Sequence, residues 1–373
     1  WAETYDSELT DLFDIQINVA KNIAEVIKGE LSNEEIDFLS IKTTENVEAW
    51  DYYLKAKELM SKSYSKPNME LSISLLNKAI KADSKFVEAY SMLTRIHLGL
   101  YWNGVDRTEE RKTIAKDILD KGLKIDENNP SIRIAKGFYH YHGFRDYLRA
   151  IEEFKGVQQQ HPGDGEINMY LAYIERRLGR FEDAIKNLEK TLRVDPKNIF
   201  LKFEIAQTYA VIHNYEKSFP LMEKVVYEES PDVSQWYSHL ADMYIYSGNI
   251  LKAIETLDNG LKIFNNEGKL LFKKAIAHHL NREFTLSNEI LAKTNLSINT
   301  EQTFYTPRET IFGMNYHFLG NKEKSKDYLE KSRFILNEAI IKNPKDIRKY
   351  PELAKVEALL GDKLNAIKNA EYA

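Results

Sequence analysis

Between residues 165 and 198 the apolar positions follow a helical period twice, with one break between. The stretch reads GEINMYLAYIERRLGRFEDAIKNLEKTLRVDPKN. Leu171, Ala172 and Ile174 fall at helical spacing until Gly179 interrupts them, and Phe181, Ala184, Leu188 and Leu192 carry a second run that Asp195 and Pro196 stop. This predicts two amphipathic helices joined by a tight turn. Ala172 and the small Ala184 twelve residues on would let the two backbones approach closely, with Leu188 filling the space beside them.

The same frame recurs downstream. A small residue is followed twelve positions later by another at Ala172/Ala184, Ala206/Ser218, Ala241/Ala253, Ala275/Ser287, Gly313/Ser325 and Ala354/Ala366. Four residues beyond each second member stands Leu188, Met222, Leu257, Leu291, Leu329 or Ala370. Looser copies lie upstream: Gly137/Ala150 has one extra residue, Ala56/Ser72 four and Thr94/Ala115 nine. The spacing predicts nine helical hairpins, six regular and three with stretched inter-helix turns. Such a small residue, later Ala, large apolar residue and Pro in a frame of about 34 residues resemble the tetratricopeptide repeat. The resemblance implies an all-α fold, a right-handed α-α superhelix without a strand ladder from about Asn46 onward. No single repeat buries enough apolar surface to stand alone, so neighbours must stack.

Upstream of Asn46 the chain changes character. Leu9, Leu12, Phe13, Ile15, Val19, Ile23, Val26 and Ile27 form one helical stripe ending at Gly29, and Ser32 with Glu35 suits a capping box that opens a short second helix through Leu39. We divide the sequence into capping or linker helices at 1–45 and a repeat solenoid at 46–373, the first helix covering the open end of the first hairpin. Trp1-Ala2-Glu3, Tyr5-Asp6, Leu9, Asp11-Leu12-Phe13 and Ile15-Gln16 resemble the junction in multidomain bacterial signalling proteins. In those, a TolB-like domain precedes a repeat array, with a cyclase, kinase or winged-helix output domain further upstream. Asn46-Val47-Glu48-Ala49, Tyr52-Tyr53-Leu54 and the run from Gly137 to Phe154 are similar to the same arrays, so the specific resemblance covers about 1–62 and 131–197. It implies an upstream signalling domain before Trp1, where the chain reads as a fragment or processed product. The absence of cysteine fits either a cytoplasmic or a periplasmic site, periplasmic if the full protein has an upstream transmembrane helix and cytoplasmic otherwise.

Composition narrows the function classes. A net charge of −5 argues against a nucleic-acid backbone as partner, and no apolar run is long enough to insert this region into a membrane. Without cysteine there is no thiolate or disulfide chemistry. His140 and His142 flank Tyr141, and His278 adjoins His279, whereas two ligands on one helix face need a spacing of three or four. No phosphate loop, nucleophile elbow or zinc-protease motif is present. The reading is a non-catalytic module with no cofactor, catalytic residue or metal, binding a protein or peptide partner.

In tetratricopeptide arrays the first helix of each hairpin lines a concave groove. Mapped here, its inward positions are Phe138, Tyr141, Met169, Tyr173, Arg176, Arg177, Phe200, Phe203, Gln207, Asp242, Tyr246 and Phe272. Aromatics with Arg176 and Arg177 as fixed cations suit an extended segment bearing apolar side chains and at least one carboxylate. The bland alternative is that a tight superhelix buries some of them against its own neighbours. The Lys and Asn pair with which chaperone-binding members clamp a peptide carboxylate is absent, its places being held by Met169/Tyr173, Phe203/Gln207 and Ser238/Asp242. Two irregular stretches remain. The insertion Tyr101–Glu109 is either a solvated loop or a second functional element, because Tyr101, Trp102 and Val105 are costly to leave wet. The polar segment 291–310 reads as a mobile joint before the last two hairpins. The competing overall function is a stand-alone scaffold or assembly factor.

Overall fold

The computed structural model describes Val19, Asn22 and residues 43–62, 65–161, 165–301 and 303–373. The expected N-terminal cap and its stripe therefore lie almost wholly outside the described residues. The remainder forms nine helical hairpins: α1 (Val47–Lys62) with α2 (Lys66–Ala82), α3 (Val87–Trp102) with α4 (Glu109–Ile125), and α5 (Pro130–Phe138) with α6 (Tyr147–Gln160). Next come α7 (Gly165–Arg177) with α8 (Phe181–Val194), α9 (Ile199–Val211) with α10 (Tyr215–Lys224), and α11 (Ser234–Tyr246) with α12 (Ile250–Ile263). The last are α13 (Gly268–Leu280) with α14 (Phe284–Leu291), α15 (Arg308–Phe318) with α16 (Lys322–Lys342), and α17 (Lys349–Leu360) with α18 (Lys363–Tyr372). The chain divides into two compact units. Among the described residues, one comprises those up to Val105 together with Glu109–Glu153, and the other Asp106–Thr108 with those from Phe154 to Ala373.

Each hairpin closes at its small residues. Ala56, Ala172, Ala184, Ala206, Ala241, Ala253 and Ala275 have no exposed surface. Where the second partner is Ser, its hydroxyl replaces water for a buried carbonyl of the first helix. Ser218 Oγ donates to the Ala206 carbonyl at 2.8 Å, Ser287 to Ala275 at 2.7 Å, Ser325 to Gly313 at 3.0 Å and Ser72 to Ala56 at 3.3 Å. The large residue four further on seals the contact. Leu188, Met222, Leu257 and Leu291 are fully buried, whereas Ala370, in the last hairpin, is exposed.

Helix ends obey the same frame. Seven residues after the small position of each regular hairpin the backbone turns left-handed, at Gly179, His213, Gly248, Arg282, Gly320 and Gly361. Glycine takes this conformation freely, while His213 and Arg282 hold it against a cost of roughly 1–2 kcal/mol. Asn214, Asn249 and Asn321 then cap the following helix, each accepting from the amide three residues on.

Two departures from the frame have a common cause. The step from Gly137 to Ala150 is one residue too long, and a π turn at Tyr139–Gly143 takes up that residue. Likewise Ala206 and Ala241 stand 35 apart, and a second π turn at Val225–Glu229 takes up the excess in the helix between them. A π turn adds one residue without unwinding the helix, so the small-residue contacts on either side keep their register.

The expected absence of strands is corrected. Within 291–310 a short antiparallel hairpin forms from β1 (Ile298–Thr300) and β2 (Tyr305–Pro307), pairing Ile298 with Pro307 and Thr300 with Tyr305. Nor is the segment a loose joint. Arg308 donates to the Thr294 carbonyl at 3.1 Å, and Arg348 donates to Thr300 Oγ1 at 3.1 Å and to the Glu301 carbonyl at 2.6 Å. The physical reason is that backbone groups partly buried beside the last hairpins need partners, and a ladder with β-branched Ile298 and Thr300 supplies them. The second irregular stretch is also packed. The Trp102 ring stacks on His142 at 4.7 Å, and in the second unit Arg107 lies 3.5 Å from Asp346, both side chains buried.

Overfilling a small-residue contact should therefore destabilise the fold. A Cβ on Gly313 would sit 2.6 Å from Leu329 Cγ. Gly313→Ala and Ala206→Leu are each expected to cost roughly 1–3 kcal/mol in urea unfolding. A control at exposed Lys197 should change stability by less than about 0.5 kcal/mol.

Candidate functional site

In the second unit the first helices of successive hairpins, α7, α9, α11 and α13, are linked side chain to side chain along one face. From α7, Arg176 reaches Glu204 on α9 at 2.7 Å and donates to Gln207 at 3.1 Å. Its guanidinium also lies over the Tyr173 ring, 5.3 Å from the centroid. From α9, the Phe203 ring meets His239 at 4.5 Å and Trp236 at 5.4 Å, both on α11. From α11, Asp242 accepts from Lys273 on α13. Lys273 lies 3.2 Å and Lys269 3.1 Å from Glu301, the residue that follows β1.

These links sort the positions expected from the sequence. Phe200 is 44% exposed and Tyr246 71%, so both present rings to solvent. Tyr173, Gln207, Met169 and Asp242 are half-buried on the same row of helices, and Arg177 is exposed. Phe203 is buried but forms the floor between Trp236 and His239. Phe272 does not line the face. It is fully buried in a core with Leu271, Ala275, Ile290, Leu291 and Phe312, because its position on the helix is covered by packing within the stack. Phe138 and Tyr141 are also buried, in the first unit, where they pack with His142 around the π turn. Arg176 is not a cation held ready for a ligand, since Glu204, Gln207 and Thr208 already engage it.

Sequence reasoning missed Glu204, Trp236, His239, Lys273 and Glu301. Three of them, Glu204, His239 and Lys273, stand two residues before the small position of their hairpins, and all three reach back to the preceding first helix. The recurring polar residue at that place was the available signal. Glu301 gave none, because the strand that precedes it was not expected.

The electrostatics follow from burial against pairing. Burial pushes the Glu204 carboxyl up, with Arg176 and then Arg177 pulling against it. Burial likewise raises Asp242 despite Lys273. At Glu301 burial is outweighed by Lys273 and Lys269 together, and its carboxyl falls below the usual range. His239 is lowered to about 3, by burial and then by the charge of Lys273, so it is a neutral imidazole at ordinary pH. Among the described residues no group of three or more His, Asp or Glu is placed to hold a metal, and no helix is long and apolar enough to cross a membrane. His278 and His279 address different partners, Glu283 and Asn315. The face can bind by contact and hydrogen bonding.

Two outcomes test this geometry. Removing the cation in Arg176→Ala leaves the buried Glu204 without its counter-charge, and should cost roughly 3–5 kcal/mol in chemical denaturation. The double variant Arg176→Met with Glu204→Leu should recover most of that loss. For His239, an unfolded chain takes up a proton near pH 6.5, whereas the folded imidazole does so only at about 3. Across that window the unfolded state binds more protons, so this residue makes stability fall on acidification. The His239 ring resonances should show no titration above about pH 4, and His239→Phe should flatten the acid limb of the stability profile.

Residues 166–198 match the tetratricopeptide repeat family model. Over 248 residues the chain is 25% identical to the Hsp70-Hsp90 organizing protein of Triticum aestivum, covering 58% of this chain and 42% of that protein. Over 156 residues it is 23% identical to the putative adenylate cyclase 3 of Rhizobium meliloti (strain 1021), covering 41% of this chain and 25% of that protein. The chain thus spans less than half the length of the curated relatives it matches. Among solved structures, a tetratricopeptide repeat protein from Parabacteroides merdae ATCC 43184 aligns over 75% of this chain and 98% of its own, with 14% identity and a TM-score of 0.46. Residues 166–198 thus carry a tetratricopeptide repeat, and the hairpin they form is one of nine helical hairpins among the described residues.

Proposed function

We propose that this chain is a non-catalytic interaction module whose second unit receives an extended segment of a partner protein along α7, α9, α11 and α13. One observation carries the reading. Phe200 and Tyr246 hold solvent-exposed rings on α9 and α11, the two helices that also carry Phe203, Trp236 and His239. Exposed aromatics fixed on a scaffold give large contact area at little entropic cost, which is where binding energy concentrates. Tyr173 and the half-buried Gln207, whose Oε1 accepts from Arg176, extend the same row.

We further propose that the module is the sensory or interaction region of a bacterial signalling protein, linked to an upstream output domain of the same chain. Support comes from the resemblance at Trp1–Gln16 and from the 41% of the chain that aligns with a putative adenylate cyclase. A second reading, a scaffold acting without any output domain, is favoured by the longer alignment with the Hsp70-Hsp90 organizing protein. The open reading frame distinguishes them: a cyclase, kinase or winged-helix domain in frame before Trp1 decides for the first, and its lack for the second.

Binding by this face is tested by substitution. Phe200→Ser and Tyr246→Ser should each weaken binding of a partner identified by co-purification by roughly 1–3 kcal/mol, with the melting temperature unchanged. Unchanged affinity in both variants would place the partner elsewhere.

A further inference from the structure

Resting on that reading, we infer that the segment crossing α9, α11 and α13 is uncharged and apolar, an internal stretch of its protein rather than a terminal or acidic one. The charges of this stretch are spent on one another. Lys202 lies 2.7 Å from Glu229, and Glu204 lies 2.7 Å from Arg176. Lys273 pairs with Asp242 and lies 3.2 Å from Glu301, whose carboxylate also takes Lys269 at 3.1 Å. Four cations and four carboxylates therefore neutralise locally, and the histidine among them is kept neutral.

A partner carboxylate seeking Arg176 would have to displace Glu204, a side chain only 7% exposed, and leave it charged and unpaired. One seeking Lys273 would have to displace Asp242 from an ammonium group that is itself 3% exposed. A partner cation meets the converse obstacle, because Asp242 and Glu301 are already held by lysines. Desolvating a charge without a counter-charge is far more costly than desolvating an apolar side chain. What the stretch turns outward instead is the Phe200 and Tyr246 rings. The same two helices, α9 and α11, also carry the half-buried Gln207 and Trp236. These complement aliphatic and aromatic side chains and the neutral amides of an extended backbone.

The experiment uses the full chain and three pools of peptides of about twelve residues, matched in length and apolar content. The first is acetylated, amidated and built from Leu, Phe, Tyr, Ser, Asn and Gly. The second carries two Asp and a free carboxyl terminus, and the third carries two Lys and is amidated. Binding is read by fluorescence anisotropy at about 50 mM and about 500 mM sodium chloride. The uncharged pool should bind at least about tenfold more tightly than either other pool, with less than about threefold change between the two salt concentrations. That binding should drop about tenfold or more in the Phe200→Ser, Tyr246→Ser double variant. Preference for the acidic or the basic pool, or a larger salt dependence, overturns the inference while leaving peptide binding by the face intact. Failure of all three pools to bind overturns both, and binding that survives the double variant moves the site off this face.

Discussion

The close approach of two helix backbones at a pair of small residues governs the regular hairpins. Ala172 against Ala184, or Ala206 against Ser218, leaves room for the helices to touch, and the large residue four positions on closes the gap. The contact brings a backbone carbonyl out of water, and in four hairpins a serine hydroxyl satisfies it. Because burial and hydrogen bonding are settled at the same point, the position tolerates little variation in size. Gly313 marks its limit, where Leu329 leaves no space even for a methyl group.

Holding that contact fixed explains the irregularities. An extra residue cannot shift the register of a hairpin without sliding every small residue off its partner, so it is absorbed inside a helix, at Tyr139–Gly143 and again at Val225–Glu229. The longer linker between α14 and α15 cannot be absorbed that way. It folds instead into a two-stranded ladder, which Arg348 ties to the final hairpin while also making a two-point contact with Asp346 at 2.8 Å. Burial around Asp346 would raise its carboxyl, but Arg348, with Lys349 and Arg107, holds it below its usual range.

The candidate face inherits its order from the same stacking. Side chains two residues before the small position point at the preceding hairpin, so whatever stands there becomes a link: Glu204 to Arg176, His239 to Phe203, Lys273 to Asp242. Polar links of this kind fix neighbouring hairpins relative to one another and consume the charges that composition alone would assign to a ligand. The aromatic rings at Phe200 and Tyr246 lie outside those joints and remain in solvent.

Taken by itself the sequence determined the hairpins, since the twelve-residue step between small residues and the flanking apolar periods are local signals that one chain segment carries. It also placed Phe200, Phe203, Gln207, Asp242 and Tyr246 on the first helices, because helical period alone fixes which side they occupy. It did not determine which of them are free to bind. Phe272 and Phe200 occupy the same row of first helices, yet one is sealed in a core and the other is open, since exposure depends on what the adjacent hairpin and linker bring against it. The fate of Arg176 was likewise decided in three dimensions, by a glutamate 28 residues away that no local pattern pairs with it. The strands of 298–307 belong there too: their propensity is weak over three residues each, and only the backbone groups buried beside the last hairpins make a ladder favourable.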